Sequence, residues 1–135
     1  ILVMLGEIGL INNQLQLGNS ALQPLQANPN FKSSPELYNC LAILALKNND
    51  PQQAITLLNT GLQFNPHNEI LLQNHAVIND LYLGQVEQAK KSYLACANQK
   101  TLRNDNAGTL RIQKRLRTIA ERSIPPKRGK NAKKR

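Results

Sequence analysis

Aromatic side chains are scarce in this chain: Trp is absent, and Phe, Trp and Tyr together make up 4% of 135 residues. Sandwiches and barrels with aromatic-rich cores are therefore disfavoured. No run of alternating apolar and polar residues indicates a strand either. Leu and Ala dominate the apolar residues, which favours an all-α domain of stacked helices.

Residues that support catalysis or metal binding are equally few. Cys40 and Cys96 fall on predicted helices without metal-ligand spacing. They are expected to be packed thiols in a reducing, cytoplasmic setting, and a disulfide would form only if stacking brought them together. His67 and His75 lack neighbouring ligands, and His75 is expected to be a packed helix residue. With no phosphate-binding glycine loop, nucleophile elbow or zinc-binding helix motif, we expect neither an enzyme nor a cofactor.

What the sequence does contain is a repeated spacing of small and apolar residues. The clearest copy has Tyr38, Leu41, Ala42, Ala45, Ala54, Leu58 and Pro66. The next has Leu72, His75, Ala76, Asn79, Gly84, Ala89 and Tyr93, and a weaker one precedes them with Leu2, Leu5, Gly6, Gly9, Gly18, Leu22 and Pro29. Over roughly residues 1 to 100 this pattern resembles the tetratricopeptide repeat (TPR) family.

The resemblance implies an α-solenoid of about three helix-turn-helix repeats, in which neighbouring pairs stack to bury their apolar stripes. The expected units are a degenerate first repeat (1–33), a second repeat (34–67), a third repeat (68–102), a basic capping helix (103–124) and a disordered basic tail (125–135).

Helix boundary signals agree with this division. Ser34, Asp50 and Asn68 are predicted N-caps, the first two followed by proline at the first helical position. Gly84 is expected in the turn of the third repeat. Pro24 interrupts the second helix of the first repeat, which we expect to be kinked or to start late.

The formal charge of +9 is unevenly distributed. Residues 1–99 carry four Lys or Arg against six acids, a net −2, and residues 100–135 carry thirteen against two, a net +11. Within this basic part, residues 109–123 have the period of an amphipathic helix, with Ile112, Leu116, Ile119 and Ala120 on its apolar side. The candidate anion-binding residues are Arg111, Lys114, Arg115, Arg122, Lys127, Arg128, Lys130, Lys133, Lys134 and Arg135.

TPR proteins bind partners in a concave groove lined by the first helix of each pair. The resemblance places Glu7, Leu10, Glu36, Asn39, Ile43, Leu46, Ile70, Gln73, Val77 and Asp80 on that groove. These amide, aliphatic and acidic side chains include no Lys or Arg, so a carboxylate clamp is not expected. They suit a scaffold or adaptor that binds a peptide or helix with apolar anchors and a basic residue. The alternative is an anion-binding module whose basic helix and tail contact nucleic acid or acidic lipid.

Overall fold

The computed structural model describes Leu22 and residues 24–123, and in this part all regular structure is helical. Residues 24–27 form the end of one helix. Five further helices follow, which are α1 (Pro35–Lys47), α2 (Pro51–Phe64), α3 (Glu69–Leu81), α4 (Val86–Leu102) and α5 (Asn106–Ser123). The all-α prediction is confirmed. The first helix of the first repeat and the basic tail lie outside the described residues.

The five helices form two layers. Each helix packs against the next along the chain, and α1 also contacts α3 directly. Side chains of α3 and α5 meet through Asp80 and Arg115. Helices α1, α3 and α5 therefore make one layer, and α2 and α4 make the other.

Two hydrophobic clusters hold these layers together. One joins α1, α2, the helical residues before α1 and two residues of α3 (Leu71 and Ile78), and it includes Leu22, Leu37 and Leu58, all 0% exposed. The other joins α3, α4 and α5. The predicted close-contact alanines are buried as expected, since Ala42 and Ala54 lie in the first cluster and Ala76 and Ala89 in the second.

Gly61 marks a close approach of α2 to two other helices. A Cβ at this position would lie 2.8 Å from Tyr38 Cβ on α1 and 3.0 Å from Leu71 Cδ1 on α3. Because ordinary carbon contacts are 3.5–4.0 Å, α2 can sit this close to both neighbours only with glycine here.

Side-chain caps begin four of the five helices. Ser34, Asp50 and Asn68 accept hydrogen bonds from the amides of Leu37, Gln53 and Leu71, as predicted. Asp105 adds a fourth cap, accepting from the Gly108 amide at 2.9 Å. Each such cap satisfies an amide that has no partner within its helix.

The start of α5 differs from the prediction. The amphipathic period suggested a helix from Thr109, whereas α5 begins at Asn106, directly after the Asp105 cap. Asn104 has a φ of 61° and the Asp105 amide bonds back to the Lys100 carbonyl at 2.8 Å. The end of α4 therefore has the same geometry as the end of α1, where Asn49 has a φ of 60° and the Asp50 amide bonds to the Ala45 carbonyl.

Other local predictions have mixed outcomes. Gly84 occupies the α3–α4 turn with a φ of 64°, as expected. Pro24 is itself helical, and the expected kink or late start falls on residues before it that lie outside the described part of the chain. Ala120, expected on the apolar side of α5, is exposed.

Cys40 and Cys96 are buried in different clusters and are not joined by a disulfide. Among residues 24–123 no helix has the length and apolar character to cross a membrane.

Candidate interaction face

Helices α1, α3 and α5 share one register when they are aligned on their caps Ser34, Asn68 and Asp105. Seven residues after the cap, each helix buries a side chain: Leu41, His75 and Ile112. The positions two, five, nine and twelve residues after the cap lie on the opposite side of each helix. We call this surface the interaction face, which comprises Glu36, Asn39, Ile43 and Leu46 on α1, Ile70, Gln73, Val77 and Asp80 on α3, and Ala107, Leu110, Lys114 and Arg117 on α5.

The interaction face is accessible along all three helices. Ile70 is 59% exposed and Leu110 48%, which is high for large apolar side chains. Gln73, Lys114 and Arg117 are also exposed, and the α1 residues other than Glu36 are half-buried. The eight predicted groove residues that the structure describes therefore occupy equivalent register positions of α1 and α3. Glu7 and Leu10 lie outside the described residues.

Where α1 meets α3, two asparagine side chains are hydrogen-bonded to each other beside the interaction face. The Asn74 side-chain amide donates to Asn39 Oδ1. Next to this bond is a shallow cleft of about 100 Å³, lined by Pro35, Glu36, Asn39, Asn68 and Ile70. Three of those five were predicted from the sequence as groove residues.

Asp80 is the exception among the predicted groove residues. Its side chain is only 6% exposed and accepts two bonds from the Arg115 guanidinium, at 2.6 Å from Nε and 2.9 Å from Nη2. The Tyr93 hydroxyl donates a third at 2.9 Å. Hydrogen bonding by Arg115 holds the pKa of Asp80 below its ordinary value. Burial and the bond to Asp80 raise the pKa of Tyr93 to about 12.

The sequence had assigned Asp80 to the groove and Arg115 to the anion-binding set, but in the structure they neutralise each other. Neither charge is therefore presented to a partner. The two residues are 35 positions apart, and no local pattern in the sequence indicates that they meet.

A second charge cluster lies where α3 begins and α4 ends. Glu69 accepts from Lys100 Nζ at 2.5 Å and from Arg103 Nε and Nη2, both at 2.7 Å. Asp105 is 3.1 Å from Arg103 and 3.6 Å from Lys100. Hydrogen bonding by Arg103, more than any other contact, lowers the pKa of Glu69 to about 2. This cluster, which sequence reasoning missed, neutralises two more acids.

His75 is buried behind the interaction face, as expected of a packed helix residue. Its Nε2 lies 2.9 Å from Asn59 Oδ1 and donates to it, because a carbonyl oxygen only accepts. Its Nδ1 accepts from Ser92 Oγ at 2.6 Å and from Asn79 Nδ2 at 3.2 Å. Burial lowers the pKa of His75. A neutral imidazole thus satisfies all three neighbours and links α2, α3 and α4.

The remaining candidate cations fall into two groups. Arg111, Lys114 and Arg122 are exposed on α5, and Arg122 lines a cleft of about 210 Å³ with Asp80, Val86 and Ile119. The tail residues Lys127, Arg128, Lys130, Lys133, Lys134 and Arg135 lie outside the described residues.

Sequence reasoning placed groove residues on α1 and α3, and the aligned register adds the equivalent positions of α5. Ala107, Leu110 and Arg117 of the interaction face were not singled out. One signal for the start of α5 was available, since Asn104-Asp105 repeats the Asn49-Asp50 pair and both pairs form the same helix-ending and helix-capping connection. This signal does not indicate the layer of α5, because Asp50 caps α2.

Comparison with known proteins assigns no family: no protein-family model matches the chain, and no curated protein is significantly similar to it. Across the part that the structure describes, no group of three His, Cys, Asp or Glu side chains is arranged to hold a metal ion.

Proposed function

We propose that this chain is a TPR-type scaffold or adaptor that binds a peptide or helix of another protein on the interaction face. The spacing of its small residues, the two-layered helix packing and the common register of α1, α3 and α5 support this assignment. The fold by itself implies no binding partner, so the proposal depends on the properties of the face.

One observation carries the proposal: two exposed apolar side chains and an exposed amide lie on a single face. Ile70 and Leu110 are 59% and 48% exposed, and Gln73 lies between them in the aligned register. Apolar side chains give a partner segment area to bury, at about 25 cal/mol per Å². Neighbouring amides can bond to its backbone. Such a surface suits a peptide or helix better than a small polar ligand.

The test compares the effect on binding of substituting exposed apolar residues in the interaction face and in the opposite layer. Ile70→Asn with Leu110→Asn removes the apolar anchors of the face. Leu94→Asn with Leu102→Asn is a matched control on α4, because those residues are 54% and 77% exposed. Proteins retained from a lysate on each immobilised chain would be quantified at moderate salt, and thermal unfolding would verify the fold of each variant. We expect specific retention to fall at least tenfold for the face pair alone. Equal retention by both pairs would refute the assignment.

An anion-binding module is the second candidate. It is favoured by four exposed cations on α5, which are Arg111, Lys114, Arg117 and Arg122. Binding through these and the basic tail would weaken steeply with salt, whereas binding to the apolar positions would change little. The salt dependence separates the two candidates, and truncation after Ser123 measures the share of anion binding that the tail contributes.

A further inference from the structure

We propose that the occupant of the interaction face is an acidic amphipathic segment of another protein, with its carboxylates over α5 and its apolar side chains over α3. This inference deepens the proposed function and rests on it. The sequence-based expectation was a partner with a basic residue, because acids were counted on the groove. The charges in the folded protein favour a partner with acidic residues instead.

Most acids near the face are already neutralised within the protein. Asp80 is held by Arg115, and Glu69 and Asp105 are held by Lys100 and Arg103. Because paired opposite charges largely cancel, these carboxylates exert little electrostatic attraction on a cationic partner. Glu36 remains exposed at the far edge on α1, where its carboxylate accepts a hydrogen bond from Ser34 Oγ at 2.9 Å.

The cations at the other edge are open to a partner. Arg111, Lys114 and Arg117 are exposed and form no ion pair within the described part of the chain. Lys114 occupies the register position of Ile43 on α1 and Val77 on α3. Apart from the exposed Glu36 and the neutralised Asp80, the face is therefore apolar and amidic over α1 and α3. It is cationic over α5, where the exposed Glu121 follows Arg117 by one helical turn.

The distribution of apolar side chains favours a protein segment over nucleic acid. No aromatic residue occupies any of the twelve positions of the face, so it offers no platform for stacking bases. Leu110, in contrast, lies one helical turn before Lys114 on α5, and Ile70 lies on the neighbouring helix α3. An amphipathic segment that alternates carboxylates and apolar side chains satisfies both kinds of position.

The width of the face limits the length of that segment. Neighbouring helix axes in a layer lie roughly 10 Å apart, so the distance from α1 to α5 is about 20 Å. An extended peptide crosses this distance in about six or seven residues.

A random-peptide phage library tests the proposal without a known partner. The library would be selected on the immobilised full chain and depleted on the Ile70→Asn/Leu110→Asn variant, so that only binders to the face remain. We expect the enriched peptides to be rich in Asp and Glu alternating with apolar residues. Fluorescence anisotropy of labelled enriched peptides then gives their Kd values.

Charge reversal on the two layers provides the matched comparison. Lys114→Glu with Arg117→Glu should weaken an enriched peptide at least tenfold at physiological salt, whereas Lys90→Glu with Lys91→Glu on α4 should leave its Kd within twofold. Thermal unfolding verifies that both variants fold, as expected for substitutions on exposed or partly exposed helix surfaces.

Three results would overturn the inference. Enriched peptides that are neutral or basic would show that the face binds segments of another chemistry, and the proposed function would stand. No enrichment that depends on Ile70 and Leu110 would refute the proposed function as well. A single-stranded oligonucleotide that displaces the peptides and loses affinity on reversal of Lys114 and Arg117 would assign the cationic edge to nucleic acid.

Discussion

Replacing Arg115 with alanine is expected to destabilise the fold by leaving Asp80 without its main partner. The Asp80 side chain is 6% exposed in the intact protein, and its carboxylate would keep only the Tyr93 hydroxyl as a bonded partner. Breaking a fully buried ion pair costs about 3–5 kcal/mol. Because the Arg115 side chain is 27% exposed, water can partly replace it, and we expect a loss of about 2–3 kcal/mol.

The assay is urea unfolding followed by circular dichroism, with Arg117→Ala as the control. Arg117 is an exposed arginine on the same helix, so its loss should change the unfolding free energy by less than about 0.5 kcal/mol. The double variant Asp80→Asn/Arg115→Met should recover part of the loss, because it removes the isolated charge.

The pH dependence follows from the lowered pKa of Asp80. Stabilisation by the pair is present above the ordinary Asp value of 3.8 and is lost as pH falls through the lower folded value. The gap between wild type and Arg115→Ala should therefore be constant near neutrality and shrink in acid. If Arg115→Ala cost no more than Arg117→Ala at neutral pH, the pair would not hold α5 in place.

Three further predictions concern the packing of the helices. Asp50→Ala removes the cap of α2 and should cost about 1 kcal/mol in urea unfolding; no change would mean that another group satisfies the Gln53 amide. Gly61→Ala gains about 1 kcal/mol of helix propensity, but its Cβ would meet Tyr38 Cβ at 2.8 Å, and overpacking costs about 1–3 kcal/mol. We expect a net loss of stability because the contacted atom, Tyr38 Cβ, is bonded directly to the backbone. A gain in Tm would contradict the close approach. Burial lowers the pKa of His75, so stability should fall as pH drops below its ordinary value of 6.5. His75→Gln should abolish that slope between pH 6.5 and 4.5, the ordinary pKa at which Glu69 begins to take up protons in the unfolded chain.

Helix positions and core residues were predictable because their signals are local. Ser34, Asp50 and Asn68 each bond to an amide three residues away, so the cap and its partner fall within one turn. Ala54 and Ala89 recur at repeat spacing, and both are 0% exposed. The all-α class and the division into helices followed from these features alone.

The electrostatic character of the interaction face depended on the tertiary structure. Glu69 and Lys100 are 31 positions apart, and Asp80 and Arg115 are 35 apart. Coulomb energy depends on distance in space, and the sequence lists charges without stating which of them meet. Stacking of α5 beside α3 cancels the charge of Asp80 and brings Lys114 onto the face. The sequence by itself thus determined where the helices and their buried sides lie, whereas the sign of the open surface was decided only when the chain folded.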